Sequence, residues 1–121
     1  MKKKIILSAI VIIVLTILIT MLYKNNSIES FKIADYSNEI KNYSSNIVTE
    51  KIKNEKDVKE KAIIIFNNTF GENNNLIYKV KYDKKNKAYL VYGKLKETQL
   101  GGDPFIIIDN NGKVLALWHE K

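Results

Sequence analysis

The chain has 121 residues and a net charge of +7, carried by 20 basic side chains against 13 acidic ones. It contains no cysteine, which removes disulfides, thiolate chemistry and a lipid-bearing cysteine from consideration. Every one of the 20 basic side chains is lysine; without arginine's planar fork for phosphate and guanine, nucleic-acid binding is disfavoured.

Lys2, Lys3 and Lys4 precede an apolar run from Ile5 to Tyr23, IILSAIVIIVLTILITMLY, relieved only by Ser8, Thr16 and Thr20. Its length suits the roughly 20 residues that a helix needs to cross a bilayer. Residues 1–24 are therefore expected to be a signal anchor, that is, a transmembrane helix in contact with the membrane. A cleaved signal peptide and a buried core helix are the alternatives. The run is longer than the roughly 7–15 apolar residues of a signal peptide, and no small-x-small site follows it. Only Lys24 follows closely, with Glu29 after it, so the amino terminus is expected in the cytoplasm and the domain outside the cell membrane. Beyond the span, residues 25–121 hold 16 lysines and 13 carboxylates, a surplus of three.

Residues 25–46 are polar with scattered apolar positions and read as a tether. Ile33, Tyr36, Ile40 and Tyr43 are spaced for a short helix within it. Residues 47–121 are expected to form one small α+β domain. Residues 47–52, IVTEKI, suit a short strand or the approach to a helix. A helix is predicted over residues 55–70, with Asn54 as N-cap and Glu55 and Asp57 at its positive end. Val58, Ala62, Ile65, Phe66 and Phe70 line one face, and Gly71 supplies a left-handed stop. Four strands follow. LIYKVKYD alternates, with Tyr78, Val80 and Tyr82 opposite Lys79 and Lys81, and KAYLVYGKL returns after a turn at Lys84, Lys85 and Asn86. Gly93 within that second strand suggests a bulge or bend. FIIID and KVLALWH form a second hairpin around Asn111-Gly112, a strong tight-turn signal. The expected architecture is one main helix packed on a curved four-stranded antiparallel sheet, with Val58, Ala62, Ile65 and Phe66 against Val80, Val91 and Ile107.

Few residues carry chemistry. His119 is the one histidine, but no cysteine nucleophile, second histidine or nucleophile elbow accompanies it, which favours a structural or binding role over catalysis. One histidine and dispersed carboxylates give no metal-ligand spacing. Gly101-Gly102 precedes a strand rather than a helix N-terminus, so a phosphate cradle is not indicated; positive φ before Pro104 is the simpler use. No catalytic residue, metal site, cofactor or small-molecule substrate is expected. Lys81, Lys84, Lys85 and Lys87 make a basic hairpin tip, either a solvated turn or a contact to anionic lipid or an acidic partner. The tyrosines at 78, 82, 89 and 92 are expected to pair across strands, in the core or at a protein contact.

Several stretches in order carry a resemblance: AIIIF (62–66), FGE (70–72), VYGKL (91–95), LGGDPFIII (100–108), NGKVLAL (111–117) and HEK (119–121). From Val58 to Lys121 the chain resembles a bacterial polymorphic-toxin immunity protein family with a fold like nuclear transport factor 2. Glu120 stands where that family has glycine, and Phe66 where its helix core has a second alanine. The resemblance implies a membrane-anchored protein that binds and neutralises a cognate protein toxin. Gly101, Gly102, Asp103, Trp118, His119 and Lys121 are then the candidate partner-binding residues. An anchored cystatin-like or PepSY-like domain that regulates an envelope enzyme or sensor is the alternative from a different class.

Overall fold

The structure, a computed structural model, describes residues 8–18, 28–96 and 102–120. Residues 8–18 form helix α1, whose isoleucines, valines and leucines are all about half exposed. The expected span from Ile5 to Tyr23 has its ends outside the described residues. Among the described residues no helix is long and apolar enough to cross a membrane.

The rest is an α+β arrangement around a five-stranded mixed sheet of order β1-β2-β3-β4-β5. The strands are β1 (Glu29–Ser30), β2 (Leu76–Asp83), β3 (Ala88–Leu95), β4 (Pro104–Asp109) and β5 (Val114–His119). β1 runs parallel to β2, pairing Glu29 with Lys81 and Ser30 with Tyr82. The other neighbours are antiparallel. The four strands of the two expected hairpins are thus present, but the sheet is mixed and has a fifth strand. That strand comes from residues read as tether. A strand of only two residues leaves no alternation for a sequence pattern to reveal.

Helix α3 (Glu55–Phe70) matches its expected bounds. Asn54 Oδ1 accepts from the Asp57 N–H at 2.8 Å, and Asp57 Oδ2 accepts from the Lys53 N–H at 2.8 Å. Lys61 Nζ lies 2.7 Å from Asp57 one turn on. That ammonium, together with the Lys53 N–H, holds the Asp57 carboxyl below its usual range. Gly71 ends the helix at φ +90° while its N–H donates to the Asn67 carbonyl. Val58, Ala62, Ile65 and Phe66 are buried as the periodicity required, whereas Phe70 is 40% exposed. They pack with Val91, Ile106, Ile108 and Val114, and Phe66 stacks on Tyr78 at 6.0 Å. Val80 joins this cluster, but Ile107 lies in the opposite one. In a strand successive side chains alternate faces, so the neighbours of Ile107 are the ones beneath α3.

The second face is covered as well. A 3-10 turn (Ile33–Tyr36) and helix α2 (Ser37–Asn42) place Phe31, Ile33, Tyr36, Ile40 and Tyr43 over Ala88, Leu90, Ile107 and Ala116. Residues 31–43 are therefore a packed layer rather than a tether. Asp83 latches that layer to the sheet. Its Oδ2 accepts from the Ile33 N–H at 2.9 Å and from Asn86 Nδ2 at 2.8 Å, and its Oδ1 from the Asn86 N–H at 3.0 Å. The bond from the Asn86 side chain, then that from Ile33, lowers the Asp83 carboxyl from its usual pKa.

Gly93 causes no bulge. The β2–β3 pairing runs unshifted through Tyr78 opposite Gly93, and a Cβ there would sit 3.1 Å from both Leu76 Cδ1 and Pro104 Cγ. The register shift in the sheet falls between Ile107 and Ile108, where β5 places Leu115 out of pairing.

Two outcomes test this packing. Phe66→Ala is expected to lose about 3–5 kcal/mol, a large part of the roughly 5–15 kcal/mol typical of a domain, read as a lower urea midpoint. Asp83 has a folded pKa below its unfolded value of about 3.9, so its stabilisation is present above that pH and lost as pH falls through the folded pKa. Urea midpoints of Asp83→Asn should accordingly fall less on acidification than those of the parent chain.

Candidate functional site

Cross-strand register assembles the most distinctive surface. Tyr92 on β3 pairs with Phe105 on β4, and Phe105 pairs with Trp118 on β5, so three aromatic side chains stand in one row on one face. Tyr92 and Phe105 stack at 5.3 Å and 11°, and Phe105 and Trp118 at 5.2 Å and 11°. These separations are those of neighbouring strands with offset rings, a favourable geometry for aromatic pairs. All three rings are half-buried. Lys81 Nζ stands 5.7 Å from the Tyr92 ring centroid and 3.8 Å from Glu29 Oε2. At the other end Tyr36 tilts against Trp118 at 5.5 Å. Burial pushes the Tyr36 phenol up from its usual pKa, so it is a neutral hydroxyl at physiological pH.

Beside the row, Glu39, Asn42, Tyr43, Ser44, Ser45, Leu117 and Trp118 line a cleft of about 390 Å³. Two of its lining residues carry buried polar atoms with no hydrogen-bond partner among the described residues, Trp118 Nε1 and Tyr43 Oη. Such orphans are uncommon in native interiors.

The expected partner residues divide between the two faces and the chain's undescribed stretches. Gly101 and Lys121 lie outside the described residues. Gly102, Asp103 and His119 come together where β4 begins and β5 ends: Pro104 pairs with His119, and the Glu120 N–H donates to the Asp103 carbonyl at 2.9 Å. Trp118, adjacent to His119 in the strand, serves the opposite face. His119 is exposed and its ring meets Phe70 at 5.0 Å, near the end of α3. Among the described residues no group of three or more His, Asp or Glu is placed to hold a metal ion.

Gly102 does not adopt a positive φ. Its need for glycine is contact: a methyl group at Gly102 would overlap the Glu120 carbonyl and lie 2.8 Å from His119 Nδ1. Phe105 and Tyr36 were missed as site residues from sequence, whereas Tyr92 is one of the four tyrosines expected in the core or at a protein contact. Tyr92 and Phe105 become neighbours only through the β3–β4 register, which no short turn fixes, because the connection runs through KETQLGGD. Comparison with protein-family models, with curated proteins and with solved structures gives no match.

Gly102→Ala is expected to push the end of β5 away from the start of β4. About 1–3 kcal/mol of stability should be lost, together with faster amide exchange at Glu120, whose N–H is donated across that junction.

Proposed function

We propose that the protein is a membrane-anchored immunity protein that binds and neutralises a cognate bacterial toxin, rather than an enzyme. The observation that carries this reading is the row Tyr92–Phe105–Trp118, half-exposed beside the Gly102–His119 corner. Tyrosine and tryptophan offer large rigid contact area, and they are enriched among the few residues that dominate protein–protein affinity. A row held by three paired strands is already ordered before a partner arrives, which lowers the entropic cost of association.

The ordered motifs from Val58 to Lys121 supply the class, and one helix on an antiparallel sheet region is compatible with a fold like nuclear transport factor 2 or cystatin. In this reading the apolar run from Ile5 to Tyr23 spans the cell membrane, with the amino terminus cytoplasmic. A blocker held outside the cytoplasm meets its toxin where the toxin arrives or acts.

The test expresses any toxin whose gene adjoins this one, directed outside the cytoplasm, with and without the full chain. Growth rescue and a stoichiometric complex are expected, and Tyr92→Ala or Trp118→Ala, each first shown to be folded by circular dichroism, should weaken that complex about tenfold or more. No complex and no rescue would falsify the immunity reading and favour a domain that regulates an envelope enzyme or sensor.

A further inference from the structure

A strongly charged surface lies at the opposite end of the sheet. Four chain segments meet there: 32–33, 49–52, 83–87 and 109–113. Main-chain bonds join them, from Asn110 N–H to the Lys87 carbonyl at 3.0 Å, Thr49 N–H to Gly112 at 2.7 Å, and Ile52 N–H to Asn110 at 3.0 Å. The Asp83 latch to Ile33 ties in the fourth. These segments hold Lys32, Lys51, Lys84, Lys85, Lys87 and Lys113 against Glu50, Asp83 and Asp109, a surplus of three. That equals the whole surplus of residues 25–121, so the remainder of that stretch is neutral.

The lysines are available and the nearby turn carboxylates are engaged. All six lysines are exposed, and among the described residues none lies within ion-pairing distance of a carboxylate. Asp83 accepts hydrogen bonds on both oxygens, while Asp109 Oδ1 accepts from the Asn111 and Lys113 N–H groups at 2.9 and 3.0 Å. Lys87 is held at φ +51°, a left-handed conformation that is uncommon for a side-chain-bearing residue. Its carbonyl is fixed by the Asn110 bond, so the turn presents its ammonium groups from a constrained backbone.

We infer that this lysine-rich end docks on the anionic lipid surface of the membrane that carries the protein. The inference rests on the anchored reading above. Lysine is depleted from protein–protein interfaces and favoured where a diffuse negative surface is met, and several lysines near an anionic leaflet add their attractions. Nucleic acid is disfavoured by the lack of arginine. Through this contact the bilayer fixes which end of the sheet is turned away from it, and the aromatic row at the other end faces outward.

The test uses the full chain in nanodiscs of phosphatidylcholine alone or mixed with phosphatidylglycerol. Acetylation rates at Lys84, Lys85, Lys87 and Lys113 are read by mass spectrometry, with exposed Lys94 and Lys96 at the far end as internal reference. On anionic discs the four turn lysines should react about threefold or more slowly at low salt, with the difference lost at high salt. Equal rates on both discs overturn the inference while leaving the anchor intact, and so does slowing by an acidic polypeptide or oligonucleotide without slowing by anionic lipid. Flotation of the chain with neutral vesicles reports the anchor separately. Without it the anchored reading falls, and salt-sensitive flotation with anionic vesicles alone then supports the lysine surface, whereas flotation with neither overturns both.

Discussion

Burial of β4 on both faces is the constraint from which the rest of the domain follows. Ile106, Ile107 and Ile108 are consecutive and all have no exposed surface. Alternation along a strand sends Ile106 and Ile108 one way and Ile107 the other, so a single covering layer cannot bury all three. Each buried isoleucine is worth about 1.5–3 kcal/mol relative to exposure, which makes a second cover energetically necessary for a domain of this size. Helix α3 supplies one cover. Residues 31–43 supply the other, brought across the sheet edge by the two parallel residues of β1 and fastened by Asp83.

The two covers are unequal, and the aromatic row is a consequence. Neither the 3-10 turn nor α2 contains a fully buried residue. Four residues of 3-10 helix and six of α-helix extend about 17 Å, against about 27 Å for an eight-residue strand. A cover so short leaves part of the second face open. Beneath it lie Ala88 and Ala116, whose small side chains leave room for Tyr36, Ile40 and Tyr43 to pack on the sheet. Beyond it the face changes to large rings, and Tyr36 stands at the boundary against Trp118. The rings shield one another by stacking where no helix shields them.

Much of this was legible in the sequence where a pattern is local. Helix α3 declared itself through Asn54, the periodic run to Phe66 and Gly71, and β2 through strict alternation. The unbroken FIIID run was itself a sign of two-sided burial, since a strand with one solvent face alternates. Reading it as covered by one helix put Ile107 on the wrong face. The stripe Ile33, Tyr36, Ile40 and Tyr43 was visible too, yet so short an amphipathic stretch has no local feature that says whether it packs or dangles; that is settled by Leu90 and Ile107 far along the chain, which need a cover. The same non-locality hid the candidate site. Trp118 and the Gly102 corner attract notice as rare residues, but Tyr92 and Phe105 gain meaning only from strand register. Gly102 was legible as special and its reason was not, because overlap with Glu120 is a contact between segments and leaves no trace in φ.

The sheet also separates two kinds of surface. From the aromatic row to the turn end is about five residues along β5, or about 17 Å. That is about two screening lengths at physiological salt, so the lysines act weakly on charges beside Trp118. Near the row the lysine surplus is gone: Lys81 over Tyr92 is offset by Glu29, and the Gly102 corner carries the carboxylates of Asp103 and Glu120. In the proposed reading a partner seated on the rings would be selected by shape and apolar contact, while the turn end would respond to long-range charge. Both surfaces depend on β4: its start presents Phe105, and its end presents Asp109, which shapes the lysine-bearing turn. One buried strand thus holds an aromatic surface and a lysine-rich one at a fixed separation.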